Sequence, residues 1–173
     1  MYILLAVVAI ILVVLAIAAM KPSDFRFEHS IGIDAPPEKI FPLINDFHQW
    51  PRWSPWENVD PAMQRTYSGA PSGVGARYEW KGNSKAGEGA MDITSSTPAR
   101  EVVVSLHFIK PFEARNMVSF TIAPSGDATN VTWAMYGKSP FMVKVMKVFV
   151  NMDKMLGKDF DRGLASMKAA AES

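Results

Sequence analysis

SPFMVKVMKVFVNMDKMLGKDFDRGLASMKAAA, residues 139–171, is the stretch on which the fold turns. Ser139 followed by Pro140 reads as a helix start, with Ser as N-cap and Pro at the first helical position, where its missing N–H is lost anyway. From there Val145, Phe149, Met152, Leu156, Phe160, Gly163 and Met167 recur at steps of three and four, on one face of a single long helix. Lys147, Lys154, Lys158, Asp161 and Lys168 fall on the opposite face. One side is therefore built to press on something apolar. Upstream the chain reads as period-two strands, so the partner surface is the concave face of a sheet. Such a stripe is by itself ordinary core, and what it means depends on what the sheet offers back.

The sheet offers aromatic and methionine side chains. Residues 129–137 alternate with Val131, Trp133 and Met135 inward, and the turn Pro124-Ser125-Gly126-Asp127 joins them to residues 114–123, with Val118, Phe120 and Ile122 inward. In residues 101–109, Val102, Val104, Leu106 and Phe108 share one side while Val103, Ser105 and His107 take the other. Met91 and Ile93 share the buried face of residues 87–94, and the glycines there mark the bend a curved sheet requires. Tyr78 and Trp80 point in from residues 76–81, and residues 64–67 form a short strand. Gly73-Val74-Gly75 looks like part of a phosphate-binding loop, but a strand follows it rather than a helix, so no helix N-terminus is available for a phosphate.

The first strand, residues 25–33, places Phe25, Phe27, His29, Ile31 and Ile33 on one face. Asp34-Ala35-Pro36-Pro37-Glu38 ends it and starts a short helix with Ile40, Phe41 and Ile44 as its apolar face. Trp50, Trp53 and Trp56 follow within seven residues, interrupted by Pro51 and Pro55, which limit the segment to a helical turn and a rigid loop. This cluster either plugs the end of a core or lines a pocket mouth. The resulting class is α+β: a curved antiparallel sheet of about seven strands wrapped on a long C-terminal helix, with two short helices after the first strand.

Tyr2 to Met20 carries no charge and is nearly all Ile, Leu, Val and Ala. As a helix it is about 27 Å long, close to the roughly 30 Å hydrocarbon core of a bilayer. Residues 1–21 are thus expected to be a single-pass anchor and residues 22–173 the folded domain. Ala16-Ile17-Ala18 offers a signal-peptidase pattern, but nothing basic precedes the apolar run and the run exceeds the usual signal length. Lys21 and Arg26 follow the span, a slight bias toward a cytoplasmic domain. The 173-residue chain is 49% hydrophobic, which is ample for one core, and its net charge of +1 gives no electrostatic footprint for nucleic acid. With no cysteine there is no thiolate metal site or cysteine nucleophile.

The element order, the Ala35-Pro36-Pro37-Glu38-Lys39-Ile40-Phe41 start after the first strand, the Trp53-Ser54-Pro55-Trp56-Glu57 run and the closing Lys158-Asp159-Phe160-Asp161-Arg162-Gly163-Leu164 helix together resemble the START-like (SRPBCC) superfamily. In particular the chain is similar to the bacterial polyketide cyclase/dehydrase and lipid transport branch with its helix-grip fold. The resemblance spans about residues 25–170. It implies a cavity between sheet and C-terminal helix, a location at a bacterial inner membrane once the anchor is added, and members that are either enzymes or carriers. Mapped by strand parity and that topology, the cavity residues are Trp53, Trp56, Tyr78, Trp80, Phe108, Phe120, Trp133, Phe149 and Met152. Met91, Met135 and Met155 are further adaptable wall candidates beside Met152.

Chemistry in such a cavity needs a titratable group with a partner in reach. His29, His107, Glu57, Glu88 and Asp92 are available, but no motif ties any two, and no metal-ligand spacing or Gly-x-Ser-x-Gly elbow occurs. The expected function is therefore binding of a lipid or other hydrophobic small molecule, without cofactor or metal, for transport or sensing at a membrane. A cyclase/dehydratase-type enzyme and a filled, purely structural or partner-binding domain are the alternatives, and an open cavity would separate the last from the first.

Overall fold

The computed structural model describes residues 2–149 and 151–173, and of Met152 and Asp153 the backbone alone. The period-two segments form β1 (Asp24–Ile33), β2 (Gln64–Gly69), β3 (Ala76–Lys81), β4 (Glu88–Thr97), β5 (Glu101–Lys110), β6 (Ala114–Ser125) and β7 (Ala128–Lys138). They make one antiparallel sheet of order β1-β7-β6-β5-β4-β3-β2, sequential except that β1 returns beside β7. Register shifts between Glu88 and Gly89 and between Ile93 and Ser95 put irregularities into β4, which increase local twist and help curl the sheet. The pairs Phe27↔Met135, Trp133↔Phe120, Phe120↔Val102 and Tyr78↔Met91 bring the inward side chains of neighbouring strands onto one concave face.

α1 (Tyr2–Met20) precedes the sheet, and α2 (Pro37–Asn45) follows β1 with Pro37 at its first turn. α2 buries Ile40, Leu43 and Ile44. A 3₁₀ turn, Phe47–Arg52, begins at Asp46, whose carboxylate accepts the His48 N–H at 2.9 Å. The tryptophans then close α2: the Trp53 indole N–H donates to Leu43 O at 2.8 Å and that of Trp50 to Ile44 O at 3.0 Å. These are carbonyls of the last helical turn, which have no partner within the helix. Trp50 and Trp53 are buried, so two of the three tryptophans plug the core.

The single C-terminal helix expected from the apolar stripe is in fact two. α3 (Phe141–Phe149) and α4 (Met152–Glu172) are separate, and the Asn151 side chain accepts the Lys154 N–H at 3.0 Å to cap the second. Pro140, not Ser139, holds the N-cap position of α3, since its carbonyl accepts the first helical bond from the Lys144 N–H. α4 buries Phe160, Gly163, Leu164, Met167 and Ala171, and it packs along β1 and β7. A Cβ on Gly163 would lie 2.7 Å from Trp133 Cζ3 and 2.9 Å from Pro55 Cδ, so this glycine sets how closely the helix approaches. α3 instead packs against α1.

Candidate functional site

Because α4 lies over β1 and β7, the concave face of β3 to β6 is left for other segments to cover. The irregular loop after the 3₁₀ turn does so, and between it, α4 and the sheet lies an open-ended cavity of about 280 Å³. Strand parity puts Met91, Leu106, Phe108, Val118, Trp133 and Met135 in its floor. Leu156 and Phe160 come from α4; Ser54, Trp56, Glu57, Val59 and Met63 come from the loop. Lys85, Ala86, Lys110 and Pro111, in or beside the β3–β4 and β5–β6 turns, edge one end of the cavity. Trp80 packs there because Gly89 has no side chain: a Cβ would clash with the indole ring. Its N–H donates to Ala86 O at 3.0 Å.

The wall is mainly apolar; apart from Ser54 and the edge residues Lys85 and Lys110, its polar side chains form one cluster. Glu57, 5% exposed, accepts the Tyr78 hydroxyl at 2.7 Å on one carboxylate oxygen and the Arg65 Nε–H at 2.7 Å on the other. Arg65 also donates to the Glu57 carbonyl at 2.6 Å and to the Met63 carbonyl at 3.1 Å, fixing the loop to β2. Burial and the bonded carboxylate push the Tyr78 phenol well above its ordinary pKa, and the Glu57 bond likewise raises Arg65. At neutral pH Tyr78 is thus a neutral donor and Arg65 a permanent cation. The Trp133 ring stacks on Phe160, with centroids 4.3 Å apart, and on Phe120 at 5.2 Å. Its buried indole N–H has no hydrogen-bond partner among the described residues.

Of the nine residues mapped from sequence, Trp56, Tyr78, Trp80, Phe108 and Trp133 line this cavity. Trp53 and Phe120 sit in the packed core behind it, each less than 2% exposed on its side chain and in edge-to-face contact with the other. Phe149 is 71% exposed, because α3 turns its lysine side, not its aromatic side, toward the protein. The Met152 side chain lies outside the described residues. Met91 and Met135 are in the wall, whereas Met155 is exposed. Leu106 and Val118 were signalled by the same parity as their neighbours; Arg65 had no such signal, since it reaches the site across a loop.

The other titratable candidates are elsewhere. His29 Nδ1 sits 2.6 Å from Asp161 between β1 and α4, and His107 Nε2 sits 3.1 Å from Glu113 on the convex face. Asp92 accepts from Arg77 at 2.8 Å, and Glu88 pairs with Lys110 at 3.0 Å, which holds its carboxyl below the usual range. Among the described residues no three His, Asp or Glu groups converge as metal ligands. Glu57, with both oxygens already engaged by Tyr78 and Arg65, is placed to orient a polar group of a ligand.

The polyketide cyclase / dehydrase and lipid transport family model matches residues 24–172. No curated protein matches the sequence. Among solved structures, the Aha1 dimer from Colwellia psychrerythraea aligns with a TM-score of 0.62 at 20% identity, covering 86% of this chain and 96% of that one. The KanY protein aligns at 0.64 and 15% identity, over 87% and 99% of the two chains. Ara h 8.0201 aligns at 0.59 and 12%, over 86% and 97%. At these identities the likeness is one of fold.

Proposed function

Since the chain belongs to the polyketide cyclase / dehydrase and lipid transport family, we propose that it is a membrane-tethered binder of a lipid or another apolar small molecule, serving carriage or sensing. The observation that carries this reading is the cavity itself, at about 280 Å³ just under the roughly 300–1,000 Å³ range of ligand pockets and lined mainly by apolar and aromatic groups. Glu57 and Tyr78, the former held by Arg65 behind it, supply polar groups that orient such a ligand, and wall methionines adapt to its shape. α1, 19 residues without a charge, tethers the domain where membrane-partitioned molecules are concentrated.

The test is native mass spectrometry of the detergent-purified full chain, together with uptake of 11-(dansylamino)undecanoic acid. Co-purification of an apolar molecule and saturable, blue-shifted dansyl emission are expected. Empty protein that also leaves the probe in water would overturn the binding reading.

A further inference from the structure

The geometry points to α3 as a second membrane contact: a short helix lying in the plane of the lipid surface beside α1, bringing the end of the cavity edged by the β3–β4 and β5–β6 turns to the bilayer. It rests on the proposed anchor. At nine residues, α3 reaches about 13 Å, too short to span, but its two faces are inverted relative to an ordinary surface helix. Phe141, Met142, Met146 and Phe149 are 48%, 54%, 39% and 71% exposed and share one side. The lysines take the other. Lys144 is buried, its Nζ within 3.5 Å of Ala19 O and Ser23 Oγ, and Lys147 donates to Ser139 Oγ at 3.1 Å beneath the helix. Lys21 donates to Lys147 O at 3.0 Å. A helix that hides its cations and shows water its phenylalanines is suited to an apolar medium.

What covers that face follows from where it stands. α3 packs on α1, and Lys144 reaches the last carbonyls of α1, the level at which a span leaves the bilayer. The apolar face of α3 is thus continuous with the apolar surface of α1. Strand register adds the second half: Asp24↔Lys138, Phe108↔Ala114, Glu88↔Lys110 and Lys81↔Glu88 put the β3–β4 and β5–β6 turns at the same end of the sheet as α1 and α3. Those turns edge the cavity, and Phe112 within one of them is 43% exposed. A molecule leaving the bilayer at this end enters the cavity without crossing water.

The chain has no cysteine, so single-cysteine variants can carry a nitroxide without background. Full-length M142C, M146C and F149C, with V8C in α1 and D127C in the far hairpin, are placed in phosphatidylcholine/phosphatidylglycerol vesicles and their depth read by collision with oxygen and a nickel chelate. Labels on α3 are expected about 5–10 Å below the headgroup boundary, V8C deeper and D127C in water. Water exposure at all three α3 positions with V8C in the bilayer overturns the docking of α3 and leaves the anchor standing. V8C in water overturns the anchor and this inference with it. Label–label coupling at α3 without lipid depth assigns the face to a second copy of the chain and also overturns the inference.

Discussion

Glu57 holds the loop, the sheet and the cavity wall together, and its environment makes its removal costly. With both oxygens bonded and only 5% of the residue exposed, truncation leaves the Arg65 guanidinium without its anion. Breaking a buried pair costs about 3–5 kcal/mol, and Arg65 is partly solvated, so Glu57→Ala is expected to cost about 3 kcal/mol in urea titrations of the detergent-solubilised chain. Tyr78 adds a pH dependence of known sign. Its phenol ionises near 10.0 when unfolded and higher when folded, so above that pH the unfolded chain binds fewer protons. This contribution is whole below about pH 10 and is lost as pH rises toward the folded value. Melting curves between about pH 8 and 11 should therefore fall less steeply for Tyr78→Phe than for the native chain; equal slopes would remove Tyr78 as the source. Glu57 and Tyr78 were both visible as candidates in the sequence. Their bond was not, because it joins an irregular loop to a strand, and only strands carry a parity that can be read off.

Elements show the same division. Strand faces were legible because period two leaves only two choices, and Val131, Trp133 and Met135 are all buried as the alternation requires, with the small Ala134 between them buried as well. The C-terminal stripe was legible as helical but not as two helices, because spacing of three and four continues across residues 149–152 while Asn151, outside both helices, caps the start of the second. Phe149 was consequently placed inside. Trp53 and Trp56 lie three residues apart in a loop, where no period distinguishes core from cavity. Within α4, Gly163 is the position where the helix meets Trp133 and Pro55 at the closest range. Gly163→Ala gains helix propensity, about 1 kcal/mol, but forces a ring or the helix to move, costing about 1–3 kcal/mol. We expect net destabilisation and a red shift of tryptophan emission as α4 lifts; an unshifted spectrum with raised stability would show that the contact relaxes freely.

At the scale of the molecule, the two ends of the sheet are built differently. At the far end stand α2 and the Trp50–Trp53 plug, whose indoles are consumed in capping α2 and of which Trp50 also lines the cavity. The end bearing α1 and α3 carries the turns that edge the cavity. Filling the space without disturbing the plug should therefore remove ligand uptake and leave the fold intact. Leu106 is the suitable site: it is a floor residue on β5, 7% exposed, facing the cavity rather than the α2 cap. In Leu106→Trp the larger ring has open volume to enter, so the overpacking penalty of about 1–3 kcal/mol at a filled position should fall toward its lower limit. Dansyl-fatty-acid uptake should drop to background while the melting temperature stays within a few degrees of the native chain, a shift that corresponds to about 1 kcal/mol or less in a domain of this size. Retained uptake in a variant that melts normally would mean that the probe binds elsewhere, on the apolar face of α3 for example, and not between the sheet and α4.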